Sequence, residues 1–152
     1  MPSLSLRACV LTAVLAGCAS QPGSQLDGPI DYEIDDGFVG IRTVIHVELD
    51  GTATAQTTVG TDPTKLSRTT VDAATLADLR DDVAGVHLPS LAPVYSCADR
   101  VCAEDAPVVT LRIAADGTTT QIRVDLGIAD RELPPGLVAL VDDLEAIART
   151  LE

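Results

Sequence analysis

Aromatic residues are nearly absent from this chain. Tyr32, Phe38 and Tyr95 are the only three, and there is no tryptophan. Any hydrophobic core must therefore be assembled from Val, Leu, Ile and Ala, which the 46% hydrophobic fraction can supply. Positive charge is also scarce: Lys65 is the single lysine, and 10 basic residues face 23 acidic ones, for a net charge of −13. That balance argues against binding nucleic acid or anionic headgroups through charge. It leaves a soluble, self-repelling surface and the option of a basic partner. Long apolar runs are missing too. Residues 8–16 are mostly apolar, yet a helix crossing a bilayer needs roughly 20 residues.

Catalytic signatures are lacking. The sequence contains no Gly-x-Ser-x-Gly elbow, no His-Glu-x-x-His, no phosphate loop and no dinucleotide-type glycine pattern. The two histidines are His46, on the more polar face of an alternating segment, and His87, just after a helix end. Both read as solvated or loop residues. Asp31, Glu33, Asp35 and Asp36 crowd together, but the distal glutamate of a calcium loop is not there. Neither a metal nor a cofactor is expected.

What is present begins at the N-terminus. Arg7, the short apolar stretch and then Leu15-Ala16-Gly17-Cys18 have the layout of an export signal. The four-residue box resembles the bacterial lipobox. That resemblance implies cleavage between Gly17 and Cys18, a diacylglyceryl thioether on Cys18 and N-acylation of the new terminus. Two or more acyl chains give stable anchoring, each buried methylene contributing about 0.8 kcal/mol. The expected organisation is a removed signal over 1–17, a lipidated cysteine with a flexible Ser/Gln/Gly/Pro tether over 18–30, and one domain over 31–152. Loss of Arg7 leaves nine basic against 23 acidic side chains, a net −14.

The chain has four cysteines. Cys9 leaves with the signal and Cys18 takes lipid, which leaves Cys97 and Cys102 as an even pair in an oxidising compartment. A disulfide closing this short loop stabilises by about 2 kcal/mol in the chain-entropy picture. Redox pairs usually have two intervening residues, and a zinc site needs two further ligands. A structural disulfide is therefore the expectation.

Hydrophobic periodicity predicts strands at 41–50, 52–59, 108–114 and 118–125. Asp50-Gly51 and Asp116-Gly117 are the hairpin turns between them. Asp72 caps a helix running to about Ala84, which Gly85 ends. A second helix opens at Pro134-Pro135 with Leu137, Leu140, Val141, Leu144, Ile147 and Leu151 on its buried face. The predicted fold is α+β: a four-stranded antiparallel sheet of two hairpins, two helices packed on one face, order ββαββα.

Gly37-Phe38-Val39-Gly40-Ile41 leads into the first predicted strand. A helix, a loop bearing Leu88 and Leu91, a hairpin and a proline-opened helix follow. This layout is similar to small bacterial proteins of the emfourin type, inhibitors of thermolysin-like metalloproteases, and to lipoproteins of like arrangement. The emfourin motif is roughly Gly-Gly-Phe-Ala-Gly, and here Asp36 and Val39 depart from it. The resemblance implies a binding module rather than an enzyme. Gly37, Phe38 and Gly40 are then a candidate recognition loop, since the glycines permit positive φ or close backbone approach. The structural alternative is a β-bulge or turn with a core phenylalanine.

The expected function is thus that of an extracytoplasmic lipoprotein, anchored in the cell membrane or outer membrane through Cys18. Its domain is a non-catalytic binding or protease-inhibitor-like module whose partner is an envelope or secreted protein such as a protease. The alternatives are a structural or stress-related envelope lipoprotein without a discrete site, and a small enzyme using His46 or His87 with carboxylates.

Overall fold

The computed structural model describes residues 23–37, 39–96, 106–127 and 133–151. Among these residues, seven strands form one mixed sheet. They are β1 (Leu26–Asp36), β2 (Ile41–Val47), β3 (Thr52–Val59), β4 (Asp62–Thr70), β5 (Val94–Tyr95), β6 (Val108–Ala115) and β7 (Thr118–Asp125), in the spatial order β4-β3-β2-β1-β6-β7-β5. All pairings are antiparallel except β5 with β7, which is parallel. Helices α1 (Ala73–Gly85) and α2 (Pro135–Leu151) pack on each other and on the sheet.

This corrects the four-stranded ββαββα expectation. Strands β2, β3, β6 and β7 lie where alternation placed strands, but β1, β4 and β5 were missed. In β1, Ile30, Tyr32 and Ile34 do alternate, yet the intervening residues are acidic and Gly28-Pro29 reads as a linker. Strand β4 carries no apolar stripe because it is the sheet edge and buries almost nothing. Pro63, Lys65 and Arg68 blunt that edge against pairing with another chain. Strand β5 is two residues long and has no periodicity to read.

Residues 23–30, within the expected tether, are docked. Gly23 presses on the Ala84 carbonyl so closely that a Cβ there would overlap it. Ser24 is buried. The Gln25 amide donates to Asp116 Oδ1 at 3.0 Å, and the Asp116 amide donates to the Gln25 carbonyl at 3.0 Å. Residues 26–30 are strand, and β1 is the centre of the sheet, between β2 and β6.

Register assigns every side chain to a face. On β1, Ile30, Tyr32 and Ile34 stand beside Val47, Ile45 and Thr43 of β2 and beside Ile113, Leu111 and Val109 of β6. This is the helix-covered face. Leu79 and Val83 of α1 and Leu137, Leu140 and Leu144 of α2 are fully buried within the same core cluster. Among the described residues, Tyr32 is its one fully buried aromatic residue, and Tyr95 packs against the cluster partly buried. Asp72 caps α1, with Oδ1 accepting from the amides of Ala74 at 2.9 Å and Thr75 at 3.0 Å. Among the described residues, no helix is long and apolar enough to cross a membrane.

Candidate functional site

Among the described residues, no helix lies over the opposite face of the sheet. The alternation that sends Ile30 and Tyr32 inward sends Asp31, Glu33 and Asp35 outward. Asp31 stands beside His46 of β2 and Arg112 of β6, and Asp35 stands beside Arg42. His46 is followed across the sheet by Thr54 on β3 and Arg68 on β4. A mosaic of opposite charges therefore occupies the middle of this open face.

Its centre is Glu33, only 9% exposed despite lying on the uncovered face. Glu33 Oε2 accepts from Arg42 Nη2 at 2.8 Å and from Arg112 Nη1 at 3.5 Å. The two guanidiniums reach it diagonally from the flanking strands and shield it from water. A buried carboxylate needs such partners, because an unpaired one is strongly penalised.

His46 forms the second part. Its Nδ1 lies 2.5 Å from Asp31 Oδ1 and its Nε2 lies 3.0 Å from Glu48 Oε1. The Asp31 hydrogen bond raises the His46 pKa above the ordinary value of 6.5; burial opposes this, and Glu48 adds to the rise. Beside this pair is a shallow cleft of about 550 Å³ lined in part by Gly28, Glu48, Asp50, Thr54 and Arg68. Both ring nitrogens face carboxylates. His87 is elsewhere, exposed at the start of the 3-10 turn Leu88–Ser90. Among the described residues, no three His, Cys, Asp or Glu side chains converge on a possible metal position.

Of the sequence-derived site residues, Gly17, Cys18, Phe38, Cys97 and Cys102 lie outside the described residues. Gly37 and Gly40 sit in the turn joining β1 to β2. Gly40 has φ +67, its amide donates to the Asp36 carbonyl at 2.9 Å, and its carbonyl accepts from Gly60 at 2.9 Å. Val39, between them, is 57% exposed. The turn is a projecting tip with open space around both glycines.

Sequence reasoning treated His46 as a solvated strand residue. The spacing of His46 and Glu48 was a legible sign that they share a face. The Asp31 contact was not legible, because it requires β1, the strand that composition concealed. Comparison with known proteins adds no identification: no family model matches the chain, and no curated protein matches it.

Proposed function

We propose that this chain is an extracytoplasmic lipoprotein, anchored through Cys18, whose domain is a non-catalytic binding module. The observation that carries the reading is the open sheet face, where the charged side chains are already paired with one another. Glu33 is held by two arginines and His46 by two carboxylates. A surface ordered in this way loses little side-chain entropy on meeting a partner. Arg42, Arg68, Arg112 and Arg123 lie on this face and offset its acids Asp31, Glu33, Asp35 and Asp125. The helical side instead gathers Asp78, Asp81, Asp82, Asp142, Asp143 and Glu145. The sheet face is therefore the side on which an acidic molecule repels a protein partner least.

The tether argues for an orientation. Five residues run from Cys18 to the docked Gly23, a reach of at most about 18 Å. Strand β1 starts at that end and is 11 residues long. It carries the Gly37–Gly40 tip roughly 36 Å further out at 3.3 Å per residue. The end near the anchor bears Asp27, Glu48, Asp50 and Asp116, which anionic headgroups repel. The domain then stands off the membrane, with the sheet face and the tip accessible to an envelope or secreted protein such as a protease.

The address is tested by intact-mass spectrometry of membrane-extracted protein beside a Cys18→Ala variant. Wild type beginning at Cys18, heavier by the lipid and lighter by the two hydrogens of a Cys97–Cys102 disulfide, is the expected result. An uncut, unlipidated soluble chain overturns it. The binding reading is tested with a thermolysin-type protease and with envelope extract, comparing wild type with a Gln56→Arg/Thr110→Arg variant of the open face. Inhibition or a reproducible partner, lost in the variant, supports the reading. No inhibition and no partner, or capture indifferent to the substitutions, defeats it.

A further inference from the structure

We propose that His46 is a proton-operated latch: as an imidazolium it ties β1 to the turn after β2, and on losing its proton it releases the Glu48 side chain at the head of that turn. The geometry sets the requirement. Nδ1 meets Asp31 on β1 and Nε2 meets Glu48, the residue at which the chain leaves β2. Carboxylates only accept hydrogen bonds, so both ring nitrogens must donate, and only the protonated ring has two N–H groups. A neutral imidazole keeps one. The shorter contact, to the less exposed Asp31, retains it. The Nε2 lone pair then faces the Glu48 carboxylate, and that contact becomes repulsive.

Glu48 is the partner free to move. Its side chain is half exposed, and it heads the tight turn in which the Glu48 amide donates to the Thr52 carbonyl at 2.9 Å and the Gly51 amide to the Glu48 carbonyl at 3.0 Å. Arg80 of α1 donates to the Leu49 carbonyl at 2.8 Å, so the turn also touches the helix layer. The other groups facing His46 do not replace the lost proton. Thr54 is its neighbour on β3, Arg68 follows on β4, Arg112 stands beyond Asp31 on β6, and no element of the described residues covers the ring from above. Deprotonation also turns the adjoining cleft from balanced charge, His46 and Arg68 against Glu48 and Asp50, to net negative. The inference does not depend on what the open face binds. A domain outside the cytoplasm, however, is exposed to external pH.

The test is an NMR titration of the full chain, following the His46 ring protons and the amides of residues 48–52, with His87→Gln used to assign the ring signals. The expected His46 midpoint lies above 6.5, and the turn amides shift with the same midpoint. In Glu48→Gln, the carboxamide can donate to a neutral Nε2, so the midpoint falls and the turn stops responding. A wild-type midpoint at or below 6.5, or turn amides that ignore the titration, overturns the latch. That measurement stands even where a variant fails to fold.

Discussion

The Tyr32 hydroxyl donates to Glu145 Oε1 at 3.4 Å, joining the central strand to the closing helix across 113 residues of sequence. The ring is fully buried, and burial, followed by the Glu145 charge, pushes the phenol well above its ordinary range. Replacing Tyr32 by Phe keeps the ring and removes the bond. Urea denaturation should show a loss of about 0.5–1 kcal/mol. Tyr32→Ala empties the site of a fully buried aromatic side chain and should cost about 3–5 kcal/mol. Equal losses for the two variants would mean that the hydroxyl, not the ring, carries the stability.

Gly51 is required by its turn. Its φ is +84, and a Cβ there would stand 2.9 Å from the Val71 carbonyl oxygen. Gly51→Ala should therefore cost about 1–3 kcal/mol in thermal or chemical unfolding. Gly37 has open space around it and no such backbone constraint. Gly37→Ala should stay within about 0.5 kcal/mol of wild type.

Asp82 of α1 faces Asp143 of α2. Burial, then the Asp143 charge and a hydrogen bond to it, raises the Asp82 pKa above its ordinary 3.8. The folded state thus holds the Asp82 proton more tightly than the unfolded state does. Its contribution is most favourable below pH 3.8 and is lost as pH rises through the higher folded value. The ionised Asp82 carboxylate is repelled by the Asp143 charge. Asp82→Asn should raise Tm by about 2 °C at pH 7 and by less as the pH is lowered. A Tm gain independent of pH would point to a cause other than charge.

Parts of this architecture were readable in the residues. Strict alternation marked β2 and β6, the two Asp-Gly pairs marked their turns, and Asp72 and the leucine stripe of α2 marked the helices. The candidate site was not readable. His46 and Glu48 are two residues apart on one strand, but Asp31 and Glu33 lie in a stretch whose glycine, proline and acids resemble a solvated linker. Their role follows from pairing: with β2 on one side and β6 on the other, the same acids become the partners of His46, Arg42 and Arg112.

The sequence by itself determined local matters: the scarcity of aromatics and hence an aliphatic core, the excess of acidic side chains, the turns and the helix start. Each depends on neighbouring residues alone, through backbone sterics, capping or composition. Only the tertiary structure decided that β1 is central, that the strands of the described residues share one sheet, and that no described helix covers the face on which His46, Glu33 and their partners meet. Strand order and register arise from contacts between segments far apart in the chain. At an edge such as β4, or in a strand whose outer face is charged, those contacts leave little trace in hydrophobic periodicity.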